Sequence, residues 1–144
     1  GKRFPLHCTG MGKILLAGMR PAEASRILAR RLKEFTPHTI TDPIALKREL
    51  DRVRRCGYAL DREEITRGIV CIAAPIRNRD GETVAAISVA FPAYICRERG
   101  MRDDIRFVTG CAAAITAALQ GSVASAQHRA DRTASRTARQ PQHG

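Results

Sequence analysis

Residues Gly68–Pro92 read GIVCIAAPIRNRDGETVAAISVAFP. Two apolar runs, Ile69–Ile76 and Thr83–Phe91, flank a short polar stretch containing Asp80-Gly81, the pattern of an antiparallel hairpin. Continuous apolar character predicts cover on both faces, which places the hairpin in the middle of a domain. Cys71 and Ser88 are small polar groups set into these runs. A loop of Asn78–Gly81 sets Cys71 opposite Ser88, whereas a loop of Asp80-Gly81 alone sets Cys71 opposite Ala90. Either way Cys71, Ser88 and Ala90 share one face, because strand side chains alternate with a period of two. That face is suited to lining a small cavity; simple packing of Cys71 and a backbone bond from Ser88 are the plainer alternative.

Working outward, Thr9-Gly10-Met11-Gly12 leads into KILLAGM, a short helix ending near Gly18. Pro21 suits the first turn of a second helix with Ile27, Leu28 and Leu32 as its apolar stripe. Phe35–Thr41 reads as a loop. Asp42-Pro43 reads as an N-cap and first-turn proline, opening a helix through Leu46, Leu50 and Val53 that Gly57 stops. Tyr58–Leu60 is a candidate short strand and Asp61–Gly68 an acidic turn. A last helix, Arg102 to about Gln120, places Ile105, Val108, Ala112, Ile115 and Leu119 on one face. Helices flanking an antiparallel sheet make this an α+β domain over residues 1–121. From residue 122 to 144 the composition turns to Arg, Ala, Ser and Gln, which predicts an unstructured tail.

The chain has 144 residues, enough for one core, and 25 basic against 14 acidic side chains. Of the net +11, four arginines and one aspartate put +3 in residues 121–144 and leave +8 in the body. The excess favours acidic ligands or polyanions without choosing between them. Six aromatics give little scope for stacking on single-stranded nucleic acid. The five cysteines lack Cys-x-x-Cys spacing and read as reduced thiols of a cytoplasmic protein; the four histidines are dispersed, so no metal or cofactor is expected. No apolar run reaches the length of a membrane span.

Three kinds of chemistry compete. Two glycines at a helix start let a ligand approach backbone N–H groups that can hold an anion, although the same residues also suit a tight turn or close helix packing. Asp61, if it points inward, repels a nearby carboxylate and suits a ligand hydroxyl or hydrated carbonyl; a solvated acidic turn is the alternative, and Glu63 and Glu64 read as exposed or paired with Arg62 and Arg67. A thiol enzyme built on Cys71 needs a base, for which His7 is the only candidate, and no spacing brings the two together. A basic nucleic-acid module would use Arg52, Arg54 and Arg55, which equally form the solvated face of a helix.

The succession PLHCTGMGKILLA, TPHTITD, VRRCGYALDREEITRGIVCIAAPI and GETVAAISVAFP resembles the C-terminal effector-binding domain of IclR-family transcriptional regulators over about Phe4–Gln120. The resemblance implies a GAF-like curved antiparallel sheet flanked by helices and a non-enzymatic sensor of small organic acids. It also implies a homodimer or homotetramer, and operator DNA bound only through an N-terminal domain outside this stretch. In such domains the ligand carboxylate is held by backbone at positions resembling Gly10 and Met11, with side chains resembling Asp61, Cys71 and Ser88. Ala90 stands where relatives carry a second hydroxyl, and Met11 replaces a smaller residue, so the ligand class carries over better than its identity.

Overall fold

The computed structural model describes the backbone of residues 4–137 and the side chains of residues 4–121. The hairpin forms as strands β2 (Ile69–Arg77) and β3 (Thr83–Pro92), with β1 (Ala59–Arg62) added on the outer side of β2. All pairings are antiparallel and the order is β1-β2-β3. Cys71 faces Ala90 and Ser88 faces Ala73. The turn that sets this register is neither simple alternative. Asn78 and Glu82 close a three-residue loop with Gly81 at φ 79°, and a bulge between Ile76 and Arg77 restores the offset. Pro75 lies beyond Ala73, the last β2 residue paired with β1, so its missing N–H falls where that side of β2 is open.

The helices are α1 (Gly10–Gly18), α2 (Pro21–Leu28), α3 (Pro43–Cys56), α4 (Ala93–Arg99) and α5 (Arg102–Thr137). Asp42 caps α3 by accepting from the Ile44 and Ala45 N–H groups, as its place before Pro43 predicts. The short α4 carries too little periodicity to be read from sequence.

Strand alternation divides the core into layers. On one face Leu60, Ile72 and Ala74 pack against Val108 and Ala112 of α5. On the other, Ala59 and Ala73 pack against Ile14 of α1 and Val53 of α3. Leu16 then joins Leu46 and Leu50 of α3, with Ile27, Leu28 and Leu32 of the α2 region closing the far side.

Three expectations are corrected here. The sheet is an open three-stranded meander flanked by helices, not a GAF-like curved sheet. β1 has only four residues, and the single register shift lies at the turn, where it cannot bend the paired length. The predicted apolar face of α5 is also only half used: Val108 and Ala112 are buried, but Ile115 and Leu119 are exposed. Past Ala112 the helix has reached the hairpin turn, where the contacts are polar: Thr116 accepts from the Arg77 N–H and Gln120 donates to the Asn78 carbonyl. The α5 backbone continues to Thr137 rather than ending near Gln120, in a stretch rich in the helix formers Ala and Arg. The side chains of the expected unstructured segment, 122–144, lie outside the described residues.

Candidate functional site

The face of the sheet that carries Ala59 and Ala73 also carries Asp61, Cys71 and Ser88, and α1 begins directly above it. Asp61 lies in β1 rather than in the following turn, paired across the ladder with Cys71, so alternation turns both toward α1. A cavity of about 460 Å³ opens between the two layers. Gly10, Met11, Asp61, Cys71 and Ser88 all line it, together with Thr9, Ile65 and Ala86. Ala90 sits beside Cys71 in the register but is not among the lining residues. Met11 is half exposed at the mouth, and Phe4, Leu15 and Val84 complete an apolar rim.

The start of α1 is fixed tightly. Thr9 Oγ1 accepts from the Gly12 N–H at 3.1 Å and donates to the Pro5 carbonyl at 3.0 Å, while the Thr9 carbonyl accepts from the Lys13 N–H. The Gly10 and Met11 N–H groups are the first-turn donors left without an intrahelical acceptor. Both residues face the cavity. The glycines are required by contact: a Cβ on Gly12 would run into the Leu6 backbone and Thr9 Oγ1, and one on Gly10 would lie 3.1 Å from Ala73 Cβ. Close approach of α1 to β2 is therefore what gives the cavity its narrow end.

Behind this wall lies a polar cluster that was not legible in the sequence. Lys13, 1% exposed, donates to Glu64 Oε1 at 2.5 Å and to the Leu60 carbonyl at 2.8 Å, with Glu49 at 3.6 Å. Asp61, also 1% exposed, accepts from the Glu64 N–H at 2.7 Å. Thr36 and Thr39 clamp the same turn by donating to the Glu63 and Glu64 carbonyls. Glu63 occupies left-handed backbone at φ 61°, held there by a bond from the Gly68 N–H and an ion pair with Arg97. Glu64, expected at the surface, is thus buried on Lys13, because the turn folds back under α1. Burial pushes the carboxyls of Asp61 and Glu64 above the usual range, against the lowering influence of Lys13.

The same field bears on the thiols. Burial, then the Asp61 charge, pushes Cys71 up to about 11; burial, then Asp61 and Glu64, pushes Cys8 up to about 12. Cys71 is a neutral thiol at physiological pH, which suits a weak donor and not a nucleophile. His7 directs Nε2 to the Lys33 carbonyl at 2.9 Å, so its ring serves the loop after α2 and not Cys71. Two of the three arginines of the basic stripe are engaged: Arg52 is held by both oxygens of Glu49 and lies over Tyr58, while Arg54 binds Asp51 and the Ala17 carbonyl; Arg55 is exposed. No helix among the described residues is long and apolar enough to cross a membrane.

Comparison with known proteins follows the same lines. Residues 1–117 match the family model for the bacterial transcriptional regulator IclR C-terminal region. The HTH-type transcriptional regulator BhcR of Paracoccus denitrificans is 52% identical over 93 residues, covering 64% of this chain and 33% of that protein. The crystal structure of the C-terminal domain of the E. coli regulator KdgR superposes with a TM-score of 0.75 at 37% identity, over 83% of this chain and 73% of that one. An IclR homolog from Microbacterium hydrocarbonoxydans, complexed with 4-hydroxybenzoate, also superposes with a TM-score of 0.75, at 30% identity over 82% of this chain and 47% of that one. The chain spans about a third of the length of the curated relatives it matches. It belongs to the IclR family of bacterial transcriptional regulators, as a C-terminal effector-binding domain.

Proposed function

We propose that the cavity between α1 and the sheet binds a small organic acid and that its occupancy is the signal this domain transmits. The observation that carries the reading is the pair of first-turn N–H groups, Gly10 and Met11, opening onto a cavity whose opposite wall is Asp61, Cys71 and Ser88. Backbone N–H groups at a helix start hold a carboxylate without a cationic side chain. Ser88 then donates or accepts according to the ligand's orientation, and Asp61 reads the group next to the carboxylate. A volume near 460 Å³ admits acids from a few carbons up to a single aromatic ring. The relative complexed with 4-hydroxybenzoate, an aromatic acid, supports the ligand class but not its identity. Ala90, outside the lining, adds no hydroxyl of its own.

A bound acid bridges α1 to all three strands, so binding stiffens the layer that also packs on α3. Transmission to operator DNA belongs to a DNA-binding segment elsewhere in a longer cytoplasmic protein, assembled as a dimer or dimer of dimers. The sensing unit comprises residues 1–121, and residues 122–144 are an appended segment. Titration calorimetry of the folded chain over a panel of aliphatic and aromatic acids tests the central claim: at least one acid should bind with a Kd below about 1 mM. Uniformly weaker binding by a folded domain refutes it.

A further inference from the structure

Between Ser25 and Arg48 the chain carries six cationic side chains, Arg26, Arg30, Arg31, Lys33, Lys47 and Arg48, against two acidic ones, Glu34 and Asp42. Several other arginines are held by carboxylates, as in the Arg20–Glu23, Arg52–Glu49 and Arg97–Glu63 pairs. These six are all exposed, and none takes part in an ion pair among the described residues. Asp42 is spent on capping α3. Folding then gathers part of this charge around a groove. α2 ends at Leu28, α3 begins at Pro43, and an open groove of about 550 Å³ runs between them. Its floor is apolar: Leu28 and Leu32 are half-buried against Leu16, Leu46 and Leu50, and Ile44 stands 64% exposed. Arg30 and Arg31 flank that floor from the α2 side and Lys47 from the α3 side. Past Arg31, Leu32 and Thr41 the groove continues into a second hollow that reaches Lys33 and Glu34.

An apolar strip between two cationic banks is complementary to bulky apolar side chains flanked by carboxylates. We propose that this groove docks an acidic amphipathic segment of another protein, laid along it as a short helix. Leu- or Phe-type side chains of that segment cover Leu28, Leu32 and Ile44, and its Asp or Glu residues meet Arg30, Arg31 and Lys47. The groove is open along its length, so it suits a chain lying across it; a small molecule needs most of its surface enclosed. Nucleic acid would be held through its phosphates and would leave the apolar floor unused. A membrane takes up apolar side chains that protrude, whereas Leu28 and Leu32 are recessed. The adjacent Arg30 and Arg31 repel one another, and an acidic partner relieves that repulsion, which makes the association salt-sensitive. The groove shares no lining residue with the acid cavity, so the inference stands apart from the acid-sensing reading.

The probe is a fluorescently labelled peptide of about fourteen residues, with leucines at helical spacing along one face and glutamates elsewhere. Fluorescence anisotropy with the 144-residue chain should give a Kd of about 10–100 μM at low salt, weakening about tenfold by about 0.5 M salt. The same peptide with serine in place of leucine should bind at least about tenfold more weakly. Ile44→Ser should weaken binding about fivefold and Arg30→Glu/Lys47→Glu about tenfold. Arg67→Glu/Arg102→Glu, an equal change of net charge outside the groove, should leave affinity within about twofold. All five side chains are exposed, so far-UV circular dichroism should match the parent. If a groove variant does not fold, amide NMR shifts of the parent decide: perturbation centred on residues 25–32 and 41–47 supports the docking site, and perturbation elsewhere overturns it. Binding weaker than about 1 mM, equal binding of the serine peptide, or equal losses from the remote charge reversal also overturn the inference. So does tighter binding of a short DNA duplex or of phosphatidylglycerol vesicles that is lost in Arg30→Glu/Lys47→Glu, which would give the face to nucleic acid or to membrane.

Discussion

Replacing Lys13 by Met removes the ammonium and keeps most of the apolar stem, which isolates the electrostatic role of the residue. In the native domain Lys13 lies 2.5 Å from Glu64 Oε1 and 2.8 Å from the Leu60 carbonyl, in a site 1% exposed. Cutting a buried ion pair from one side costs about 3–5 kcal/mol, because the remaining charge is left without compensation. Loss of the donor to the Leu60 carbonyl adds about 1 kcal/mol. Against a total stability of about 5–15 kcal/mol for a domain this size, the variant loses about a quarter or more. With a urea slope of about 2 kcal/mol per molar, the midpoint falls by about 2 M. The chain has no tryptophan, so far-UV circular dichroism is the suitable probe.

The pH dependence carries a sign as well as a size. Burial raises the folded-state pKa of both Asp61 and Glu64, so the stability associated with these groups is present below the ordinary carboxylate range and is lost as pH rises through their raised values. Lys13 opposes that loss, so the Lys13→Met deficit should be largest near pH 8 and shrink toward pH 5 as the carboxyls take up protons. The double variant Lys13→Met/Glu64→Leu should recover at least half of the deficit, because replacing both partners removes the stranded charge. A Lys13→Met midpoint within experimental error of the parent at pH 8, or a deficit that does not vary with pH, would refute the reasoning.

Three further outcomes follow from the same geometry. Gly12→Ala forces a methyl group into the Leu6 backbone and the Thr9 hydroxyl, and should lower stability by about 2 kcal/mol or more and weaken acid binding; a thermal melt unchanged from the parent contradicts that crowding. Thr9→Ala removes the α1 cap and should cost about 1 kcal/mol by urea denaturation while loosening the Gly10 and Met11 donors, read as weaker acid binding in calorimetry. Near pH 7.5, iodoacetamide followed by peptide mass mapping should label exposed Cys56 well before Cys71, whose pKa near 11 leaves well under about one thiolate per thousand; equal labelling rates would show that the Cys71 site is neither dry nor anionic.

The sequence by itself determined the hairpin, the capped helix after Asp42, the tight start of α1 and the family. Each of these is written in residues adjacent along the chain: an apolar run broken by Asp80-Gly81, an Asp-Pro pair, a Thr-Gly-Met-Gly turn. Local chemistry selects such features, and strand alternation alone places Cys71 and Ser88 on a common face. Asp61 beside Cys71 needed one more fact, the register of β1, which depends on pairing across the turn of residues 63–68. What only the tertiary structure decided is the cluster under the cavity and the open, three-stranded extent of the sheet. Lys13 stands three and four residues before Leu16 and Ala17, so helical periodicity hints that it faces inward, but nothing near Glu64 says which cation it will meet 51 residues away. Burial of a charge is a property of the whole packed layer, since its cost depends on every group that replaces water around it. For the same reason Ile115 and Leu119 read as core and ended exposed: helical period gives a face, but only the length of the sheet beneath it decides how far that face is covered.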